Sequence, residues 1–293
     1  MKHFHEKGYL LLPDWWSRQA SYTAILGRLV GFRSSQECGE IRERVQEIVC
    51  KMDLDEARTT FSTDESKHAE DKYFLGSGDK IRFFWETGAF DAKGEFVNDR
   101  LKCINKIGHA LHDLDPVLKR YSYEQRVGQV ARDLGLFNPL AVQSMYIFKQ
   151  PQIGGEVKPH QDGAFLYTEP QSVLGYWWAL EDCTLSNGCL WAVPRSHSRV
   201  VSRRFKRSPN GEGCEFDPPE AQALDLDGAV PLEVKAGTLV LLHHSLVHYS
   251  EANHSTSSRH AYSIHVVEGK DGYRYPSDNW LQRPQNAPFQ QLP

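Results

Sequence analysis

At 293 residues, with 40% hydrophobic and 25% charged residues and no run near the roughly 18 apolar residues of a bilayer span, the chain has the composition of a soluble globular protein, and disordered, collagenous and membrane-spanning classes are excluded. Its 34 Lys and Arg against 38 Asp and Glu give a formal charge of −4, so no global positive field draws in nucleic acid or an anionic membrane. Six cysteines without a C-x-x-C pair exclude a disulfide scaffold and a zinc knuckle, and predict reduced, mostly buried thiols.

In chain order, Gly8 to Pro13 reads as a strand. The 20 or so residues that follow, with Trp15, Trp16, Ile25, Leu26, Leu29, Val30 and Phe32, fit an extra helix, an extension peculiar to this chain or an error of gene prediction. Ser34-Ser35-Gln36-Glu37 has capping-box spacing, and Cys38, Ile41, Val45, Ile48, Val49 and Met52 then recur at helical intervals, predicting a helix over 35–52. Glu65 to Lys72 is a charged stretch that reads as an exposed loop, and Tyr73 to Leu75 and Ile81 to Trp85 read as strands. Ile104, Ile107, Leu111 and Leu114 suggest a second helix, and Tyr123 to Leu134, stopped by Gly135, a third.

After about residue 140 the pattern changes to short β-rich runs between Gly, Pro, Asn and Ser. The expected strands are Val142–Lys149, Ala164–Thr168, Val173–Leu180, Cys189–Val193, Leu232–Val234, Thr238–His243 and Ala261–Val267. Arg203 to Asp227, with three prolines and little periodicity, reads as a long loop over one mouth of a barrel. The expected fold is mainly β with flanking helices around a double-stranded β-helix, a cupin-like jelly roll. A single domain over 1–293 is expected, helix-rich in 1–135 with the jelly-roll core over about 140–270.

The sharpest local feature is His160-Gln161-Asp162. If it is extended, the period of two puts the imidazole and the carboxylate on one face, both able to reach one metal. An isolated H-x-D recurs by chance, so further ligands are needed. His248, 88 residues on, ends the run from Gly237 and supplies the third. Two His and one carboxylate form the facial triad of non-haem Fe(II) oxygenases, with three coordination positions left open. Arg259, 11 residues past His248, offers a fixed fork for a carboxylate, as a dicarboxylate chelating the metal by its 2-oxo-acid end requires at its other end.

His160-x-Asp162, His248 and Arg259, with Asn187-Gly188-Cys189-Leu190-Trp191-Ala192-Val193-Pro194-Arg195-Ser196-His197 between them, resemble the phytanoyl-CoA dioxygenase (PhyH) family of Fe(II)/2-oxoglutarate-dependent oxygenases over nearly the whole chain. The resemblance implies His160, Asp162 and His248 as iron ligands and Arg259 as the clamp on the distal carboxylate of 2-oxoglutarate. It also implies Lys106, Met145 and Trp177 as residues lining the co-substrate pocket, with Ser250 as a polar pocket position. From the residues alone, Lys106 reads as a solvated helix lysine and Met145 and Trp177 as core. The implied cofactors are Fe(II), 2-oxoglutarate as co-substrate and O2, with ascorbate in support. Arg195 departs from the family, which often has Gly in this turn, and the residues after Pro13 have no counterpart there. Related halogenases replace the triad carboxylate with a small residue, so the intact Asp162 implies hydroxylation.

The expected partner is a small-molecule substrate, with no nucleic acid and no membrane, and oligomeric state is not encoded in any of these features. An acyl-CoA would want cations at the pocket mouth for its phosphates, a role open to Arg203, Arg204, Lys206 and Arg207, although a solvated loop face explains that run as well. Substrate identity is expected to depend on this loop and on the 56–75 region. A non-catalytic 2-oxoglutarate or metal sensor and a metal-only cupin enzyme are the rival readings; the complete triad with Arg259 disfavours both. The N-terminus lacks the apolar core of a secretory signal and Gln291-Leu292-Pro293 is no peroxisomal address, so a cytoplasmic location is expected.

Overall fold

The computed structural model describes residues 1–15, 34–52, 72–210, 213–220 and 223–293. The expected extra helix within 16–33, the Ser34 cap and the loop of Glu65 to Lys72 before its last residue lie outside the described residues or side chains.

The strands are β1 (Tyr9–Leu12), β2 (Ile81–Trp85), β3 (Ile104–His109), β4 (Pro139–Ile147), β5 (Val157–His160), β6 (Leu174–Ala179) and β7 (Leu190–Ala192). They continue as β8 (Arg204–Arg207), β9 (Cys214–Asp217), β10 (Val230–Leu232), β11 (Leu239–His243), β12 (His248–Ser250), β13 (Ala261–Glu268) and β14 (Gln290–Gln291). An antiparallel sheet runs β1-β11-β6-β13-β4-β3-β2, with β14 also on β4, and faces a smaller sheet, β10-β7-β12-β5. The helices are α1 (Lys2–Lys7), α2 (Ser34–Cys50), α3 (Lys72–Leu75), α4 (Leu111–Leu114), α5 (Pro116–Ser122), α6 (Gln125–Asp133) and α7 (Asp162–Phe165). The architecture is the jelly roll expected from the strand spacing.

Strands β6, β11 and β13 are buried along almost their whole length because both faces of the large sheet are covered. On the outer face Tyr176, Trp178, Leu241, Tyr262 and Ile264 pack with Ile41, Val45 and Val49 of α2 and Val127 and Val130 of α6. On the inner face the alternate residues Trp177, Val240, Leu242 and Ala261 pack with Leu190, Ala192 and Leu232 of the small sheet. Each large side chain buried here stabilises the fold by about 1.5–3 kcal/mol. The six cysteines are free thiols, and all but Cys50 are buried. Among the described residues, no helix is long and apolar enough to cross a membrane.

Four expectations are corrected. Residues 104–109 are not helical but form β3, between β2 and β4. Its register slips opposite Phe84 and Trp85, and this bulge lets Ile104 and Ile107, three residues apart, bury toward the same helical layer, mimicking helical spacing. Tyr73 to Leu75 is the short helix α3 rather than a strand, held by Phe74 stacking on Trp280 at 4.5 Å, so packing overrides aromatic β propensity. Ala164 and Phe165 belong to α7, where Gly163 N–H donates to His244 C=O at 2.8 Å and turns the chain at the end of β5. Arg203 to Asp227 is no structureless loop: β8 and β9 form a hairpin with Phe205 opposite Phe216. Arg195 has φ 71°, the left-handed backbone that glycine adopts freely.

Candidate active site

The two sheets converge on a cavity of about 470 Å³. On the small sheet His248 stands directly opposite His160, and Asp162 follows where β5 gives way to α7. Gln161 keeps extended angles (φ −123°, ψ 127°), so the expected alternation survives across His160-Gln161-Asp162. Asp162 Oδ1 lies 3.6 Å from His160 Nε2 and 3.6 Å from His248 Nε2. One nitrogen or oxygen from each of the three side chains falls within 4.8 Å of the others, a spacing able to hold a metal ion.

The remaining ring nitrogens define the chemistry. His160 Nδ1 is 2.9 Å from Lys158 C=O and His248 Nδ1 is 3.0 Å from Leu246 C=O. A carbonyl only accepts, so in the neutral rings Nδ1 carries the proton and Nε2 presents its lone pair. Burial holds the His248 pKa down at about 4, keeping that ring neutral near pH 7. Although burial by itself raises it, the Asp162 pKa stays well below the usual carboxylate range because His248 and His265 face it. With both rings neutral, two imidazole lone pairs and a carboxylate oxygen point at one spot, and a cation there relieves the repulsion.

Two residues hold Asp162 in place that sequence reasoning missed. His265 Nε2 lies 3.3 Å from Asp162 Oδ2. Gly175, which pairs with His265 across β6 and β13, has no side chain on that face, and a Cβ there would meet Oδ2 at 2.9 Å. The signal for His265 was available: Arg259, Ser263 and His265 alternate toward the cavity at period two.

Arg259 is fully buried, with Nε donating to Gly188 C=O at 3.1 Å and the guanidinium 5.1 Å from the centre of the Trp177 ring. Among the described residues its Nη1 has no hydrogen-bond partner, nor have Ser250 Oγ and Trp177 Nε1, all buried. Met145 and Trp177 stand opposite Ser263 on neighbouring strands, so the large sheet brings these lining residues into one row. Lys106, on a strand rather than a solvated helix, is buried in the cavity wall 5.4 Å from the Phe84 ring, and burial lowers its pKa to about 7. Every sequence-predicted site residue therefore lines the same cavity. Sequence reasoning also missed Lys149, whose Nζ donates to the carbonyls of Gly155 and Glu251.

The basic run is mostly committed to structure. Arg204 pairs with Asp278 at 2.7 Å, Lys206 with Asp217 at 2.5 Å, and Arg207 donates to Trp280 C=O at 2.9 Å. Of the four, Arg203 alone lines the cavity among the described residues.

Solved structures with similar folds include the epimerase SnoN, described in complex with Fe3+, alpha ketoglutarate and nogalamycin RO (TM-score 0.60, 14% identity, 100% of this chain and 96% of that one). Another is EctD from S. alaskensis, described with 2-oxoglutarate and 5-hydroxyectoine (TM-score 0.57, 18% identity, 91% and 74%). At these identities the likeness is one of fold. Sequence similarity is far higher to the Mus musculus protein named phytanoyl-CoA dioxygenase domain-containing protein 1, 48% identical over 303 residues covering 100% of this chain and 97% of that one. The Arabidopsis thaliana protein named phytanoyl-CoA dioxygenase is 45% identical over 280 residues, 96% of this chain and 91% of that one. The family profile of phytanoyl-CoA dioxygenase (PhyH) matches residues 4–261, a stretch that holds every cavity residue singled out in the sequence, and with these relatives it makes the chain a member of that family.

Proposed function

We propose that the protein is an Fe(II)- and 2-oxoglutarate-dependent dioxygenase that decarboxylates 2-oxoglutarate to succinate and hydroxylates a small organic substrate. The observation that carries this reading is the pairing of an acceptor-only cluster, His160 Nε2, Asp162 Oδ1 and His248 Nε2, with a buried arginine whose Nη1 is unpartnered in the same cavity. The donor set fits Fe(II), since two imidazoles and one carboxylate on one side leave the other side open. When bound, the iron supplies activation of O2 coupled to oxidative decarboxylation of the oxo acid.

The chain's own contribution is binding and orientation. Arg259 binds the distal carboxylate of 2-oxoglutarate through its fork, and Ser250 and Trp177 offer further donors. His265 and the Nδ1 contacts of both histidines fix the ligand side chains in the orientation that binding needs. Aromatic and aliphatic walls exclude water, which strengthens the ionic contacts inside. The dioxygenase names of the relatives and the groups described with the structural neighbours support the same assignment.

The test is anaerobic loading with Fe(II), addition of 2-oxoglutarate, then O2, following the metal-to-ligand charge-transfer absorbance and succinate. The expected result is a band and succinate with the parent protein, and loss of both with His248→Ala; with Arg259→Ala, both require much higher 2-oxoglutarate. A band without succinate would identify a sensor instead, and no band would overturn the assignment of the site.

A further inference from the structure

Arg259 and the two strands that carry the proposed iron ligands share a neighbour, Lys149, two residues past the end of β4. Lys149 is buried, and its Nζ donates to Gly155 C=O at 2.7 Å and to Glu251 C=O at 2.8 Å. Gly155 lies two residues before β5 and Glu251 directly follows β12, so the ammonium closes the far end of the strand pair that holds His160 and His248. That pair is short. Its register holds at His248 opposite His160 and at Ser250 opposite Val157, with an irregularity between them.

The same residue supports the clamp. Lys149 C=O accepts the Arg259 N–H at 3.2 Å and the Asn253 Nδ2–H at 2.9 Å. Its stem lies against Gly188, where a Cβ would meet Lys149 Cε at 3.4 Å, and Gly188 C=O in turn accepts from Arg259 Nε. Lys149 holds φ 41°, a left-handed backbone uncommon for a residue with a side chain, and these contacts keep it there. A neutral donor would satisfy two carbonyls as well, whereas an ammonium buried beside a guanidinium is costly unless the charge is balanced. Of the carboxylates that face Arg259 among the described residues, Glu181 pairs with Arg42 at 2.8 Å, which leaves Glu86 to oppose two buried cations. Glu156, which also faces Lys149, is exposed. The distal carboxylate of 2-oxoglutarate supplies the balancing charge.

We propose that Lys149 is the positioning residue that joins the two halves of the site: its ammonium laces the strands of His160 and His248, its stem and carbonyl seat Arg259, and co-substrate binding fixes its charge. The inference rests on the dioxygenase reading for what the two halves hold. Burial and the facing Arg259 lower the Lys149 pKa to about 7, while Glu86 and Glu156 act in the opposite sense. A carboxylate on Arg259 offsets the repulsion and raises that pKa, so the ammonium form binds 2-oxoglutarate more tightly than the amine. Below about pH 7 the ammonium is already present. Above it binding takes up a proton, and affinity falls as the pH rises.

The first measurement is hydrogen exchange of the metal-free protein. Lys149→Met keeps an unbranched stem against Gly188 but removes the ammonium, and the amides of 155–160 and 248–253 are expected to exchange at least about tenfold faster. The second is calorimetric titration of the Fe(II)-loaded protein with 2-oxoglutarate, without O2, from about pH 6 to about pH 9 in buffers of different ionisation enthalpy. The parent is expected to take up as much as about one proton per co-substrate near pH 8 and to lose affinity by up to about tenfold per pH unit above 7. Lys149→Met should bind about 10–100-fold more weakly near pH 6 and show no uptake, with melting curves confirming that it folds. Lys106, buried in the same cavity with its pKa also lowered to about 7, is the competing source of a proton, and Lys106→Met should keep the uptake. Unchanged exchange, parent-like affinity in Lys149→Met, or an uptake kept in Lys149→Met and lost in Lys106→Met would overturn the proposal. Should Lys149→Met not fold, binding by the parent without proton uptake would do so. Proton-linked binding in a protein that releases no succinate would overturn the dioxygenase reading and leave the role of Lys149 standing, whereas succinate release with pH-independent binding would do the reverse.

Discussion

Replacing Gly175 with alanine would place a Cβ 2.9 Å from Asp162 Oδ2 and 3.3 Å from Leu242 Cβ. The backbone has little room to retreat, because Gly175 is paired with Leu242 on one side and His265 on the other. The carboxylate must move instead. Opening the contact to an ordinary C···O separation of about 3.4 Å displaces it by roughly 0.5 Å, the limit within which a site must hold its groups to function. His265 lies on Oδ2, so that contact is disturbed as well. The expected effect is a loss of about 10–100-fold in metal affinity, as for other disturbed orienting contacts. Overpacking should cost only about 1–3 kcal/mol in folding stability. Competition for Fe(II) against a calibrated chelator measures the first and urea unfolding of the metal-free protein the second. A folded variant with metal affinity within about twofold of the parent would refute the reasoning, since the carboxylate would then be placed by something other than the space at residue 175.

Arg195→Gly should stabilise the protein by about 1 kcal/mol, because the parent residue holds a left-handed backbone at φ 71°. An unfolding midpoint that stays level or falls would show that the arginine side chain repays that strain. His112 is fully buried, and burial depresses its pKa from 6.5 to about 4, so between those values the unfolded chain binds the extra proton. Its contribution is therefore complete above pH 6.5 and is lost as the pH falls toward 4, about 3 kcal/mol in all. His112→Asn should reduce the difference in unfolding free energy between pH 7 and pH 4 by that amount, and an unchanged difference would contradict the assignment.

The jelly roll was legible in the sequence because its strands are short and bounded by turn residues, and α2 because one face repeats at helical intervals. The proposed triad was legible because alternation through Gln161 is a local property and His248 closes the run from Gly237 that contains the strand β11. Sequence reasoning failed where two periods coincide. Ile104 and Ile107 keep helical spacing only because a bulge turns the strand between them, and with that misreading Lys106 was placed in solvent instead of in the cavity. It also failed where position is tertiary. Phe74 owes its helical turn to Trp280, and the pairing of Arg204 and Lys206 with Asp278 and Asp217 depends on a hairpin and a C-terminal segment that no local pattern announces.

The histidine orientations have a consequence for how such a centre persists as sequences drift. Both Nδ1 atoms are satisfied by the carbonyl two residues earlier in the chain, Lys158 for His160 and Leu246 for His248. Those acceptors are main-chain atoms, so no exchange of side chain at 158 or 246 deletes them as long as the local backbone is kept. Correct presentation of Nε2 is thus inherited with the backbone rather than with a partner residue, and each histidine carries its own alignment. The carboxylate differs, for its setting depends on the identities of residues 175 and 265. Drift in this centre should be tolerated around the two imidazoles and resisted around Asp162.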